Sequence, residues 1–276
     1  MIEVSGVTKA YARTVVVDDV TISLQPGGIT SIVGANGAGK STLLSMIARL
    51  VGMDDGHISV GGLDVSSADP RELARTLGIL KQENSMPLRL TVHDLVSFGR
   101  YPHSRGRLGP DDHAIVDTSI HTMDLDELRD RFLDEMSGGQ RQRAFVAMLL
   151  AQDTDYLLLD EPLNNLDMAH ALAMLERLRH AADALGKTVV MVVHDINFAS
   201  AWSDHLVAMK DGRVVAQGSP REVVDSAMLN HVFGVNCAVS VEGGCPIAQY
   251  YMPAARRTEL VRAELAHAEQ SRTDAL

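Results

Sequence analysis

The sequence is poor in cysteine and aromatic residues, has no long apolar run, and carries no excess of basic charge. Each of these absences excludes something. The only cysteines, Cys237 and Cys245, have seven residues between them. That spacing is neither a metal knuckle nor a C-x-x-C redox pair, and two reduced thiols of a cytosolic protein are expected. Aromatics make up 4% of the chain and methionines number 13, which fits packing between aliphatic helices and leaves no aromatic stacking platform. No run approaches the roughly 18–20 apolar residues of a membrane span, and Met1-Ile2-Glu3-Val4 does not open a basic-then-apolar leader. A membrane role would therefore need another subunit to carry the chain there. A formal net charge of −11 argues against broad binding to nucleic acid or anionic membranes, since both need basic surface.

At 276 residues the chain is long enough for one large domain or two small ones. Apolar alternation over Ile2, Val4, Val7, Val15–Val17, Val20, Ile22 and Leu24 predicts short antiparallel strands, with Tyr11 as an isolated aromatic between them. Buried strands are expected at Ile29–Val33, Leu77–Leu80 (ending at Lys81-Gln82-Glu83), Tyr156–Leu159 and Thr188–Val193. Helical patterns lie between them. One carries Leu43, Leu44, Met46, Ile47 and Leu50; another buries Leu172, Leu175, Leu178 and Leu185 and stops at Gly186. From about residue 85 to 140 the character changes: Thr91 caps one helix, Asp111 or Asp112 another, and Arg100 to Pro110 reads as a loop between them. We read this as a helical insertion into an α/β domain whose parallel sheet is covered on both faces. From Arg256 onward the chain is polar and rich in Ala and Glu.

The stretch Gly34-Ala35-Asn36-Gly37-Ala38-Gly39-Lys40-Ser41-Thr42 organises the rest. It follows a strand and opens a helix, the context in which G-x-x-x-x-G-K-[ST] is a phosphate site. Its glycines bring backbone N–H groups close to an anion, and the helix start adds partial positive charge. Lys40 would reach the β- and γ-phosphates of ATP, Ser41 would hold Mg²⁺, and Thr42 would add a phosphate contact. Asp160 and Glu161 end a buried strand, where open α/β sheets bind ligands. Asp160 would hold Mg²⁺ through its water, and Glu161 would polarise the attacking water as general base. A second anion-ready turn, Ser137-Gly138-Gly139-Gln140, also opens a helix. One ATP cannot use both loops within one subunit. A symmetric homodimer is therefore expected, with Ser137 and Gly139 of one copy closing over the γ-phosphate held by Lys40 of the other.

Met136 to Arg143, with Asp160 following, resembles the signature sequence of ABC-type ATPases, and the resemblance spans about residues 1–250. It implies an α/β fold: a P-loop NTPase, an ABC-type nucleotide-binding domain over 1–250 with an antiparallel β subdomain and a helical subdomain inserted at about 85–150. A C-terminal tail, 251–276, would follow. The resemblance makes Tyr11 the aromatic that stacks on adenine and Gln82 the residue that contacts Mg²⁺ and the water and senses the membrane partner. It makes Asn165-Leu166-Asp167 the loop that links the two sites across the dimer, and His194 the γ-phosphate contact. Met136, Asn164 and Lys81 stand where Leu, Ser and Pro are commoner; none of these departures removes a chemical group the site needs.

Gly99-Arg100-Tyr101-Pro102-His103 and Glu161 through Met168 resemble the ATPase subunits of iron(III)-siderophore importers, with haem, cobalamin and other metal-chelate importers as close relatives. The implied partners are a transmembrane permease and, indirectly, an extracytoplasmic substrate-binding protein, with no nucleic acid. The implied place is peripheral, on the cytoplasmic face of the cell membrane. Arg100 to Pro110, carrying Tyr101 and Arg105, would lie near the permease. A soluble ABC protein working on ribosomes or DNA would bring a second cassette, a long coiled-coil insertion or basic surface. A P-loop small-molecule kinase would have no use for Ser137-Gly138-Gly139-Gln140. A catalytically dead cassette would lack one of Lys40, Gln82, Glu161 and His194, and all four are present.

Overall fold

The N-terminal alternation folds into two long antiparallel strands, β1 (Ile2–Tyr11) and β2 (Thr14–Leu24). This is the computed structural model of the chain, and it describes residues 1–82, 88–164, 166–253 and 255–262. Glu83, the expected start of the insertion near residue 85, Asn165 and the end of the tail lie outside the described residues. A turn at Pro26-Gly27 feeds β3 (Gly28–Val33), and the glycine-rich loop leads from it into α1 (Lys40–Ile47). β4 (Asp55–Val60) and β5 (Leu63–Asp64) return to the first sheet, whose order is β2-β1-β4-β5. α2 (Pro70–Thr76), capped by Asp69 with proline in its first turn, precedes β6 (Leu77–Leu80). Four helices follow: α3 (Val92–Phe98), α4 (Tyr101–Ser104), α5 (Pro110–Thr122) and α6 (Gly138–Ala151).

The chain then alternates through β7 (Tyr156–Asp160), α7 (Met168–Leu185), β8 (Thr188–Val192), α8 (Ile196–Trp202), β9 (His205–Lys210) and β10 (Arg213–Gly218). The main sheet has the order β10-β9-β3-β8-β7-β6 and is parallel except for β10. α9 (Pro220–Val223), α10 (Ser226–Phe233) and a hairpin of β11 (Val239–Glu242) and β12 (Cys245–Ala248) come last.

Period-two alternation divides the main strands between two cores. Leu157, Leu159, Val189, Met191 and Leu206 share one with Val96, Ile120, Val146 and Leu175 of the helices. Leu158, Val190, Val192 and Met209 share the other with Leu44 and Ile47 of α1 and with Val4 and Ile58 of the antiparallel sheet. Each fully buried side chain of this kind stabilises by about 1.5–3 kcal/mol. The strand ends that carry the polar residues are thus anchored from both faces.

Several local expectations are corrected. Leu50 is exposed, because α1 ends at Ile47 and Arg49 takes a left-handed backbone that turns the chain off the apolar face. Leu172 and Leu185 are also exposed; they lie off the stripe of Ala171, Met174, Leu175, Leu178 and Ala182 that α7 buries. Arg100 to Pro110 is not a loop throughout, since residues 101–104 form α4. Arg100 is buried, donating from Nε to Asp112 at 2.9 Å and from Nη1 to the Ala151 carbonyl at 3.0 Å. α5 starts at Pro110, so Asp112 sits inside its first turn, where it accepts from the Gly109 N–H at 2.9 Å. Among the described residues no disulfide forms: Cys237 is buried and Cys245 half-buried. No described helix is long and apolar enough to cross a membrane.

Candidate functional site

The glycine-rich loop is sterically committed to its course. Gly34 has φ 151°, and a Cβ there would lie 2.2 Å from the Met209 carbonyl oxygen. Gly39, at φ 95°, would meet the Val16 carbonyl oxygen at 2.5 Å. Larger residues would push the loop off the ends of β9 and β2. The Lys40 side chain is buried inside the curl, its Nζ donating to the carbonyls of Gly34 at 2.8 Å and Ala35 at 3.0 Å. Burial lowers the Lys40 pKa, opposed by the neighbouring charges of Glu161 and Asp160.

β7 carries the carboxylates to the same place. Asp160 is buried and accepts from Ser41 Oγ at 2.8 Å. Burial raises its pKa; the Ser41 hydrogen bond opposes this and the Glu161 charge adds to it. Glu161 has a left-handed backbone, φ 54°, a conformation that costs on the order of 1–3 kcal/mol for a non-glycine residue and concentrates at functional sites. Three side chains hold its carboxylate. Gln82 Nε2 donates to Oε2 at 2.6 Å, Asn164 Nδ2 donates to the same oxygen, and His194 Nε2 lies 2.6 Å from Oε1. His194 follows β8, whose extension is fixed by the Val193 N–H bond to the Ile32 carbonyl at 3.2 Å.

Lys40, Ser41, Gln82, Glu161 and His194 open on one cavity of about 350 Å³, lined also by Val16 and the rest of residues 36–42, while Asp160 and Asn164 do not line it. Its donors suit a nucleoside triphosphate: a buried ammonium, a loop of backbone N–H groups and a helix start face it. The oxygen donors of Ser41, Asp160 and Gln82 suit Mg²⁺, a hard cation that takes one or two carboxylates together with substrate phosphates. Among the described residues no group of three or more His, Cys, Asp and Glu side chains could hold a metal, so a metal here depends on the phosphates for further ligands.

Other expected residues lie elsewhere. Ser137 caps α6, accepting from the Gln140 N–H at 3.3 Å, while Gln140 Oε1 accepts from the Ser137 N–H at 3.1 Å. Ser137, Gly138, Gly139 and Gln140 do not line the Lys40 cavity. Asp167 caps α7 and pairs with His170 Nδ1 at 2.7 Å. The backbone N–H of His170, then its side chain, hold the Asp167 pKa below the usual carboxylate range. Tyr11 pairs with Thr14 at the tip of the β1–β2 hairpin, exposed, with Lys9 Nζ 5.7 Å from its ring centroid, and does not line the cavity. Sequence reasoning assigned no role to Val16, Asn164 or His170. Asn164, four residues after Asp160, carried a signal as a departure from serine; Val16 carried none.

Residues 17–164 match the ABC transporter family. The chain is 46% identical over 251 residues to a petrobactin import ATP-binding protein of Bacillus subtilis, covering 91% of this chain and all of the relative. It is 49% identical over 250 residues to a second petrobactin import ATP-binding protein, from Bacillus anthracis, with the same coverage. Among solved structures it resembles a dimeric ATP-binding cassette in a post-hydrolysis state bound to ADP and Pi. The TM-score is 0.71 at 27% identity, over 79% of this chain and 98% of that one.

Proposed function

The chain belongs to the ABC transporter family, and we propose that it is the ATP-hydrolysing subunit that powers a bacterial importer of iron(III)-siderophore complexes. One observation carries the enzymatic part: Glu161, held by Gln82 and His194, faces the same cavity as the buried Lys40. The siderophore part rests on the two petrobactin relatives, identical at nearly half their positions. The ATPase domain spans 1–250, with residues about 85–150 as its helical subdomain and 251–276 as a tail.

Lys40 now satisfies its ammonium with two carbonyl dipoles. Phosphate oxygens replace these with full negative charge, which returns the proton affinity that burial removes. Ser41, Asp160 and Gln82 would hold Mg²⁺, which would supply positive charge against the negative charge that develops in phosphoryl transfer. Glu161 accepts a proton from the attacking water as general base. Three donors occupy the carboxylate, two on Oε2 and one on Oε1, which leaves Oε1 able to accept from that water as well. His194, which lines the same cavity, contacts the γ-phosphate. Tyr11 stacks on adenine. Ser137, Gly138, Gly139, Gln140 and Asp167 act across the homodimer, each copy completing the other's site.

The partner is a membrane permease, with the subunit peripheral on the cytoplasmic face and the substrate-binding protein reached only through it. Tyr101 is 62% exposed at the start of α4, and Arg105 is exposed at its end, while buried Arg100 anchors the segment from beneath. Replacing Tyr101 and Arg105 by Glu should abolish ferric-siderophore uptake and co-purification with the permease. Basal ATPase activity should stay within about twofold, because these residues lie outside the cavity. Intact uptake with a normally assembled complex would refute this docking role.

A further inference from the structure

His170 stands between two turns of one subunit, the one that ends at Asp167 and the one that runs from Ser137 to Gln140. It lies in the first turn of α7, which the Asp167 side chain caps. One oxygen, Asp167 Oδ1, accepts twice from this residue: from the backbone N–H at 2.9 Å and from Nδ1 at 2.7 Å. An ionised carboxylate only accepts, so Nδ1 carries the ring proton. The backbone bond places the carboxylate, and the carboxylate then aims the ring. So aimed, the imidazole fronts Gly139 at the start of α6. A Cβ at Gly139 would rest 3.6 Å from His170 Cγ and Cδ2, and 3.2 Å from Leu166 Cδ2.

The pair adds little to stability, because its side chains are 48% and 66% exposed and water competes for them. Its effect is directional. The same face of α7 meets the helical insertion again two helical turns later, at Arg177. Arg177 Nη2 donates to Asp124 Oδ2 at 3.2 Å, and Arg143 Nη1 of α6 donates to that same oxygen at 3.2 Å. α7 thus meets α6 at two stations, across His170 and through Asp124. Upstream, the Asp167 turn is tied to Glu161: the Asn164 N–H donates to the Glu161 carbonyl at 3.2 Å, and the Asn164 amide donates to Glu161 Oε2.

We propose that His170 is a positioning residue that holds the Asp167 turn and the Gly139 turn in fixed relation, so that the surface each copy offers to the other's nucleotide is formed before closure. The inference rests on the ATPase homodimer reading above. Ser137 and Asp167 are both exposed in the single subunit. Ordering their turns in advance removes a cost that would otherwise fall on the closing step.

His170→Ala removes the ring and leaves the Asp167 cap on the backbone N–H. Isothermal titration of the full chain should show unchanged ATP affinity, and the melting midpoint should stay in place. The kcat for ATP hydrolysis should fall about 3- to 10-fold, as for a small misplacement of reacting groups. In a Glu161→Gln background, the protein concentration that gives half-maximal dimer with Mg-ATP should rise by a similar factor. His170→Gln, whose amide can donate to Asp167, should recover part of both losses. His180→Ala, at an exposed histidine further along α7, should change neither. In an Asp167→Ala background, His170→Ala should add little, since the ring has lost the group that aims it. The ¹⁵N shifts of the His170 imidazole should report a protonated Nδ1, and Asp167→Ala should move that proton toward Nε2. A wild-type kcat and wild-type dimerisation in His170→Ala would overturn the proposal. Losses that add fully to those of Asp167→Ala would overturn it too, as would an absence of recovery in His170→Gln. If the wild-type chain hydrolyses ATP and Glu161→Gln dimerises while His170→Ala behaves as wild type, this proposal alone fails. If Glu161→Gln stays monomeric at saturating ATP, the homodimer reading fails with it.

Discussion

Two helix starts in this molecule look alike in sequence and differ in structure. α1 and α6 both begin at glycine-led turns. At α1 no side chain caps the helix: Gly39 is left-handed, and the loop curls round the Lys40 ammonium with Asp160 and Glu161 nearby. At α6 Ser137 and Gln140 cap each other and the turn is exposed, with Gly139 backed by Leu166 and His170. On the function proposed above, the first cradles phosphate and brings its own cation. The second has helix-start geometry and no cation within it, so its contribution depends on an anion that another copy presents.

The largest expected effect tests the first region. Glu161→Gln should lower hydrolysis by about 10²–10⁴-fold while ATP still binds. Size-exclusion chromatography with Mg-ATP should then show a closed dimer. A strictly monomeric elution at saturating ATP would break the comparison, since the second turn would have no partner site to complete.

A pair of variants sharpens it. Lys40→Ala should weaken ATP binding by about 30-fold or more, because it deletes a buried charged contact to the phosphates. Ser137→Arg should leave ATP binding by each subunit intact while turnover falls. Isothermal titration and phosphate release separate the two, and a wild-type rate in Ser137→Arg would refute the cross-dimer role.

The smallest effect concerns the electrostatic burden that only the first region carries. Burial raises the Asp160 pKa above the ordinary carboxylate value of 3.8, so the fold favours the neutral carboxyl. As pH rises from 3.8, the unfolded chain releases this proton first, and stability falls until pH passes the raised folded value. At neutral pH the charged form therefore destabilises the nucleotide-free protein. Asp160→Asn should raise its melting midpoint by about 1–3 °C, whereas the rise that Mg-ATP brings should shrink. Calorimetry with and without nucleotide reads both.

Much of the site was legible in the chain because it is local. Gly34 to Thr42 is one loop running into α1 and Ser137 to Gln140 one helix start, and the apolar run before Asp160 marks a buried strand whose end must face the loop side of a parallel sheet. Spacing alone therefore marked the candidate phosphate loop, the paired carboxylates and the second helix start. What tertiary structure decided is long-range. That Glu161 is gripped by Gln82, Asn164 and His194 depends on three strand ends meeting. Arg100 is interior and Leu50 exterior because neighbouring helices and a left-handed residue, not residue type, set their burial. One-dimensional periodicity reports which face of an element is apolar; which polar groups then meet is set by how those faces pack.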